Sequence, residues 1–164
     1  LIADTGHLRL LALDETGTPL AAGGAGVVEG FLQEPVGVAV DPLDGSILIA
    51  DTWNRRIQRF DQDLEPLDLW PVPGWGGREP YNKPFLAIDD RGLIYASDPL
   101  AARILVFDRD GAVLGALVAA GWRGEPRAIP LGVAIDNDRL LVADAAWGRI
   151  WTLPLWSSEE SDVR

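Results

Sequence analysis

The chain has 164 residues, 48% of them hydrophobic, and a formal net charge of −11, which fits a single acidic domain with its own core and disfavours nucleic acid as a partner. The absence of cysteine excludes disulfides and thiolate sites. No run reaches the roughly 18 apolar residues that a membrane helix needs, so we expect no direct membrane insertion by this segment.

One unit recurs four times along the chain: an acidic residue, four other residues, then arginine and an aliphatic residue. The acidic residues are 46 or 47 positions apart, and the pairs are Asp4 and Arg9, Asp51 and Arg56, Asp98 and Arg103, and Asp144 and Arg149. A fixed period of this length predicts one supersecondary unit per copy, stacked on its neighbours.

Short apolar runs surround each copy. In chain order they lie at 1–3, 10–13 and 19–20, then at 35–41, 47–50, 57–60 and 67–70, then at 84–89, 93–97, 104–107 and 113–117, and finally at 130–136, 140–143 and 150–153. Frequent glycine (18) and proline (12) would interrupt helices between these runs. Four short strands per copy is the pattern of a β-propeller blade.

We therefore predict an all-β chain, a β-propeller of four-stranded antiparallel blades that forms a single domain over 1–156. Its predicted divisions are a partial blade 1–31, blades 32–83 and 84–129, a partial blade 130–156, and a charged C-terminal tail 157–164. The first blade lacks its inner strand and the last lacks a clear outer strand. Open blade edges invite pairing with another chain, so self-association is expected.

Two stretches of the second copy, 34–41 and 49–61, resemble an NHL repeat, a unit usually found in six-bladed propellers. The resemblance is weaker in the third copy, where Ser97, Asp98 and Pro99 replace the Ala-Asp-Thr of the second. It implies a fragment of a six-bladed ring, which would need roughly 280 residues at this period. The chain also has no methionine and opens inside a copy of the repeat, so we expect it to be a piece of a longer protein.

The stretches 70–75 and 82–89 are similar to NHL-like C-terminal regions of some large bacterial membrane proteins with glycosyltransferase-like spans. That resemblance implies an extracytoplasmic domain of a larger bacterial membrane protein.

The recurring Asp–Arg pairs have a structural interpretation. The aspartate ends one predicted strand and the arginine begins the next, so the two side chains should meet across a hairpin as an ion pair or turn cap. The acidic turns at 61–65, 108–111 and 136–138 lack the ligand pattern of an EF-hand. They are predicted to be hairpin turns, and no metal is expected.

Catalysis is not expected from the residues present. The single histidine, His7, and the absence of cysteine exclude a Cys-His triad. Some propellers related to the NHL type are metal-dependent lyases or lactonases, but their sites have no match in this sequence. We predict no enzyme activity and no cofactor; the alternative is part of a propeller enzyme, lyase or lactonase-like, whose catalytic residues lie in missing blades.

Aromatic residues and arginine gather on the loops of one predicted face, because successive strands alternate in direction and the connections between blades emerge beside the Asp–Arg turns. The candidate binding residues are Trp53, Asn54, Arg55, Trp75, Arg78, Tyr81, Trp122, Arg123 and Trp147. Tryptophan and arginine are enriched in binding hot spots, which predicts a non-catalytic binding or scaffold module with a protein or carbohydrate partner. For Trp75 and Trp122 the alternative is packing between adjacent blades.

Overall fold

The structure is a computed structural model that describes residues 1–75, 83–118 and 128–157. Within these ranges fourteen strands form four antiparallel sheets, and the strands of each sheet are ordered as they follow along the chain. The predicted all-β architecture is therefore confirmed.

Each sheet is one blade, and its strand positions are labelled a to d as in a complete blade. The described strands are, in blade 1, β1 (Ile2–Asp4), β2 (Arg9–Leu13) and β3 (Pro19–Gly23); in blade 2, β4 (Pro35–Val40), β5 (Ile47–Asp51), β6 (Arg56–Phe60) and β7 (Pro66–Pro71); in blade 3, β8 (Leu86–Ile88), β9 (Ile94–Asp98), β10 (Arg103–Phe107) and β11 (Val113–Val118); in blade 4, β12 (Pro130–Asp136), β13 (Arg139–Asp144) and β14 (Arg149–Pro154). Blade 1 thus supplies positions b to d and blade 4 positions a to c among the described residues.

Strands at position b are covered on both faces, which explains why their apolar runs do not alternate with polar residues. Every residue of β5 and of β9 is buried. A strand covered on both faces has no solvent side, so it favours a continuous apolar run over strict alternation.

The blades pack face to face through three apolar clusters. We call the face toward the next blade along the chain the forward face and the other the backward face. Forward residues of blade 1, including Leu10, meet backward residues of blade 2, including Ile49 and Phe60. Blades 2 and 3 meet through Ile57 and Phe107 among others, and blades 3 and 4 meet in the same way.

Inner strands of neighbouring blades approach each other closely. Strand β8 contacts both β4 and β12. A Cβ atom on Gly37 in β4 would lie 2.6 Å from the Cα atom of Phe85, just before β8. Only glycine permits that approach without a shift of the backbone.

The chain turns define two opposite faces of the propeller segment. The b–c turns and the connections between blades lie on one, the b–c face; the a–b and c–d turns lie on the other, the a–b face. Neighbouring blades share this orientation, because Thr5 in a b–c turn donates a 2.7 Å hydrogen bond to the carbonyl oxygen of Pro35, at the entry of the next blade. On the opposite face Arg109 of blade 3 reaches Asp41 of blade 2, with Nε 2.9 Å from Oδ2.

Candidate binding face

The b–c turns share one backbone geometry. The residue before each repeat arginine has a left-handed conformation, with φ of 56° at Leu8, 56° at Arg55, 55° at Ala102 and 60° at Gly148. In blades 1 and 2 the turn is a short 3-10 segment, Thr5–His7 and Thr52–Asn54. This conformation returns the chain so that the aspartate and arginine are directly opposite in the ladder.

The repeat pairs lie across these hairpins. The arginine Nε atom is 2.8 Å from Oδ2 of Asp4, 2.7 Å from Oδ2 of Asp51 and 2.9 Å from Oδ2 of Asp98. In the fourth copy Arg149 Nε is 4.0 Å from Asp144 Oδ2. Three copies therefore have a direct hydrogen-bonded ion pair, and the fourth has a longer one.

The second copy also holds the connection that arrives from blade 1, which the sequence interpretation missed. The buried Asp51 carboxylate accepts from the backbone of Gln33 at 2.7 Å, as well as from the side chains of Asn54 and Gln58. Arg56 donates to the carbonyl oxygens of Val27, Val28 and Phe31 at 2.8 to 2.9 Å. The pair thus anchors residues 27–33 and does more than shape a turn.

The same arrangement recurs in blades 3 and 4. Arg103 donates to the carbonyl oxygen of Pro73 at 2.8 Å, and Asp144 accepts from the backbone of Ile129 at 3.1 Å. A forked guanidinium can bind an aspartate and backbone carbonyls together, which explains why the repeated residue is arginine and not lysine.

The fourth copy departs from this pattern through an indole. Trp151 Nε1 donates to Asp144 Oδ2 at 2.9 Å. The Arg149 guanidinium carbon lies 5.3 Å from the ring centre of Trp147 and 4.4 Å from that of Trp151. Arg149 is therefore in cation–π contact with both indoles.

Hydrogen-bond partners lower the pKa of the repeat aspartates in the first and fourth copies. Hydrogen bonds from His7 and then Arg9 hold the pKa of Asp4 below its usual value. Burial raises the pKa of Asp144, but hydrogen bonds from Trp151 and from backbone amides outweigh burial, so its pKa also lies below the usual value. Both carboxylates therefore remain ionised at neutral pH.

The predicted binding residues fall into three groups. Trp53, Arg55 and Trp147 are exposed on the b–c face, and Asn54 lies beside them with its amide bonded to the carbonyl oxygen of Gly26. Trp75 is 1% exposed and packs between blades 2 and 3. Four residues lie outside the described residues: Arg78, Tyr81, Trp122 and Arg123.

An apolar patch on the same face was not predicted. Val27 and Val28 are 65% and 61% exposed, and Phe31 is 44% exposed. The backbone carbonyls of these three residues are the ones that Arg56 binds. Together with Trp53, which follows Asp51 in the adjacent turn, they form what we call the Val–Phe patch, an apolar surface on an anchored segment.

The two faces differ strongly in charge. On the a–b face, turns 14–18, 41–46, 61–65, 89–93, 108–112 and 136–139 contain thirteen acidic residues and three arginines. On the b–c face, the described segments 4–9, 24–34, 51–56, 72–75, 83–85, 98–103, 128–129 and 144–149 contain six acidic residues and six arginines or lysines. The net negative charge of the described residues therefore resides on the a–b face.

Within residues 1–75, 83–118 and 128–157, no three or more histidine, cysteine, aspartate or glutamate side chains come together as a possible metal site. No helix in those ranges is both long and apolar enough to span a membrane.

Comparison with known proteins identifies the second blade. Residues 32–60 match the model of the NHL repeat. The chain carries an NHL repeat. The resemblance predicted from the sequence is thereby confirmed for this segment. No curated protein matches the chain.

Solved propellers share the fold of this NHL-repeat chain. A catalytically inactive histidine-to-alanine variant of virginiamycin B lyase from Staphylococcus aureus is 13% identical, with a TM-score of 0.62 over 94% of this chain and 51% of the lyase. A gluconolactonase from Xanthomonas campestris is 20% identical, with a TM-score of 0.63 over 93% and 46%. Dihydro-heme d1 dehydrogenase NirN is 19% identical, with a TM-score of 0.63 over 92% and 31%.

These structures establish the β-propeller fold, and the chain spans about half of the lyase. They also contradict the prediction that the chain is not an enzyme, because three propellers that it resembles in structure are enzymes. That prediction was wrong. It rested on the lack of recognisable catalytic residues in a partial propeller, which is not evidence against catalysis. At this level of identity, the likeness carries no activity over to the NHL-repeat chain.

Proposed function

We propose that the b–c face is a binding surface for a protein partner, centred on the Val–Phe patch and the neighbouring Arg55. One observation carries this proposal. The apolar side chains of Val27, Val28 and Phe31 are exposed on a single loop, and Arg56 holds the backbone of that loop through their carbonyl oxygens. An apolar surface on an anchored backbone loses little conformational entropy on binding.

The chemistry of the patch favours a polypeptide over a carbohydrate. Sugar rings stack on flat aromatic faces, whereas Val27 and Val28 offer branched aliphatic surface that suits apolar side chains of a partner. The exposed Trp53 and Arg55 supply the residue types that dominate protein hot spots. Acidic and basic residues are balanced on the b–c face, so it does not repel an anionic partner surface. The acidic a–b face would repel such a surface.

The test is selection of binders from a random peptide library displayed on phage, with the purified chain as target. We expect enriched peptides to contain apolar residues and to lose at least tenfold in affinity for Phe31→Ala and Trp53→Ala. Leu43→Ala is the matched control, because Leu43 is 52% exposed in a turn of the a–b face, and its affinity should be unchanged.

Peptides that bind Phe31→Ala as well as the native chain would contradict the proposal, as would failure to enrich any peptide. A glycan array probed in parallel distinguishes the carbohydrate alternative: a glycan signal that Trp53→Ala abolishes would replace the protein partner with a sugar.

A catalytic centre on the same face is the second candidate. Support comes from the lyase and gluconolactonase among the propellers of this fold, and from the pair of His7 and Asp4, with Nδ1 2.9 Å from Oδ1. An imidazole held by a carboxylate is a common general base. Quinupristin and gluconolactone are suitable probes, and turnover that His7→Ala abolishes would establish this candidate, whereas absence of turnover of both would remove it.

A further inference from the structure

Arg55 differs from the other arginines of the described structure in having no acidic partner. Within residues 1–75, 83–118 and 128–157, each of the other arginines, and Lys83, has a side-chain nitrogen within 4.0 Å of a carboxylate oxygen. The Arg55 side chain is exposed and forms no ion pair or hydrogen bond in those ranges. Acidic residues outnumber basic ones by 25 to 14 in the chain, so a shortage of carboxylates does not explain this unpaired arginine.

Arg55 is held at one border of the Val–Phe patch. The amide of the preceding residue, Asn54, donates to the carbonyl oxygen of Gly26 at 2.9 Å, so the turn lies against the start of the patch segment. The carbonyl oxygen of Arg55 itself accepts from the backbone amide of Val72 at 2.8 Å. The guanidinium therefore extends from a fixed point of the backbone.

The acidic residues closest to Arg55 in the fold already have partners. Asp51, at the start of the same turn, is buried and bonded to Arg56. Glu34, on the connection from blade 1, forms an ion pair with Lys83. Neither carboxylate can neutralise Arg55 without losing its present partner, so this cation is available to a carboxylate of another molecule.

A second unpaired charge lies on the patch segment itself. Glu29 is exposed in a turn that the amide of Phe31 closes by donating to the carbonyl oxygen of Val28 at 3.1 Å. Its carboxylate has no hydrogen bond or ion pair among the residues that the structure describes. The apolar side chains of the patch therefore share their segment with a free negative charge.

The two unpaired charges are far apart. A Cβ atom on Gly30, which follows Glu29, would lie 3.4 Å from Cγ of Pro66, the first residue of β7. Arg55 binds Val72, which follows the last residue of β7. At about 3.3 Å per residue, a six-residue strand spans roughly 20 Å. The patch thus has a positive charge at one end and a negative charge at the other.

We propose that the partner segment is bipolar, with an acidic side chain for Arg55, an apolar centre for the Val–Phe patch and a basic side chain for Glu29. This inference rests on the proposed function, because it specifies the partner of the same patch. Charges at the border of an interface select and orient a partner more than they tighten its binding. Opposite charges at the two ends of the patch therefore fix the direction in which the segment lies.

The test uses peptides selected on phage with the purified chain as target, then synthesised with blocked termini and measured by fluorescence anisotropy. Enriched peptides should have an acidic and a basic residue on opposite sides of their apolar residues. The native chain should bind such a peptide about tenfold more tightly than the same peptide with its acidic and basic residues exchanged. The double variant Arg55→Glu, Glu29→Arg should show the opposite preference, and native affinity should fall as sodium chloride is added.

A matched control makes the same two charge changes on the a–b face. The double variant Arg139→Glu, Glu15→Arg alters two exposed side chains of that face, and the peptide preference should stay that of the native chain. Circular dichroism and thermal unfolding check that each variant folds. Arg55→Gln and Glu29→Gln replace a charge-reversal variant that does not fold, and together they should abolish the preference.

The outcomes separate this inference from the proposed function. Peptides that lose affinity for Phe31→Ala, yet bind equally well with their charges in either order, would overturn the bipolar partner and leave the protein-binding patch standing. A preference that the Arg55→Glu, Glu29→Arg chain does not reverse would overturn it as well. Failure to enrich any peptide would overturn the proposed function and this inference together.

Discussion

The indole nitrogen of Trp75 donates a hydrogen bond to the carbonyl oxygen of Ser97, 3.2 Å away, across the junction of blades 2 and 3. Trp75 comes from the connection that follows blade 2, and Ser97 lies in strand b of blade 3. The indole is covered by the apolar cluster shared by both blades. This relationship decides between the two interpretations of the residue, since a side chain buried there packs blades and is not available to a partner.

Removal of this indole should destabilise the fold strongly. Trp75→Ala is expected to lower the free energy of unfolding by about 3–5 kcal/mol, because it leaves a large cavity. Trp75→Phe keeps an aromatic ring but loses the bond to Ser97, which adds a cost of about 1 kcal/mol to that of the smaller ring. Urea unfolding followed by circular dichroism measures both. Trp53→Ala, at a site 37% exposed, is the control and should cost about 1 kcal/mol or less.

Loss of the buried carboxylate of Asp51 should lower the free energy of unfolding far more than loss of Asp4, its counterpart in blade 1. Asp51→Ala removes the acceptor for Arg56, Asn54, Gln58 and the backbone of Gln33. Loss of one partner of a buried ion pair costs about 3–5 kcal/mol. Asp4→Ala is the matched control, because Arg9 is 40% exposed, and its effect should be much smaller. Equal losses of stability in urea would contradict this account.

A second readout isolates the anchoring of residues 27–31. Arg56→Lys keeps the charge but loses the fork that binds Val27, Val28 and Phe31. Limited proteolysis should then cleave this segment faster than in the native chain, at protease concentrations that leave the native segment intact. Unchanged cleavage would show that the segment is held without Arg56.

The regular repeat period decides which parts of this structure could be predicted from the sequence. The hairpin between strands b and c has the same length in every copy, so the facing of Asp51 and Arg56 could be predicted from spacing alone. The connections between blades have different lengths and sequences, and the contacts that they make join residues 22 to 29 positions apart, as in Trp75 to Ser97 and Arg56 to Val27. No local pattern encodes such contacts.

Two further features illustrate the same limit. Arg149 lies farther from its aspartate than the other repeat arginines do, at 4.0 Å. Trp151, which occupies the position of Gln58, donates to Asp144 as Gln58 donates to Asp51. The sequence contains that substitution, but its effect on Arg149 follows only from the packing of two indoles around the guanidinium. The charge difference between faces, in contrast, follows from the thirteen acidic residues in the a–b and c–d turns, which the sequence analysis did not assign to one face.

Backbone conformation in the b–c turns gives a paired prediction. Gly148 has φ of 60°, and a Cβ atom there would meet no atom within 4 Å, so Gly148→Ala should destabilise through the backbone alone, by about 1 kcal/mol. Arg55 has the same conformation with a side chain, so Arg55→Gly should stabilise by up to about 1 kcal/mol. Thermal and urea unfolding of both variants measure the signs, and two changes of the same sign would refute the shared geometry.

Acid stability should depend on Asp44 in the a–b turn of blade 2. Ser46, whose backbone amide donates to Oδ1 at 2.9 Å, and then Arg109 lower the pKa of Asp44 from 3.8 to about 2. Because the folded-state pKa is depressed, the stabilisation is present in full above the unfolded value of roughly 4 and is lost as the pH falls through about 2. Carboxyl carbon chemical shifts should give the midpoint for Asp44 directly.

Substitution of its charged partner should move that midpoint upward. Arg109→Gln removes a charge whose Nη2 atom bonds Asp44 Oδ2. Asp44→Asn should flatten the fall in stability between pH 4 and pH 2 in urea titrations, to a degree limited by the exposure of this carboxylate to solvent. Asp63→Asn, at an acidic residue in the neighbouring c–d turn, is the control, and an equal flattening there would assign the effect to the general charge of the a–b face instead of to Asp44.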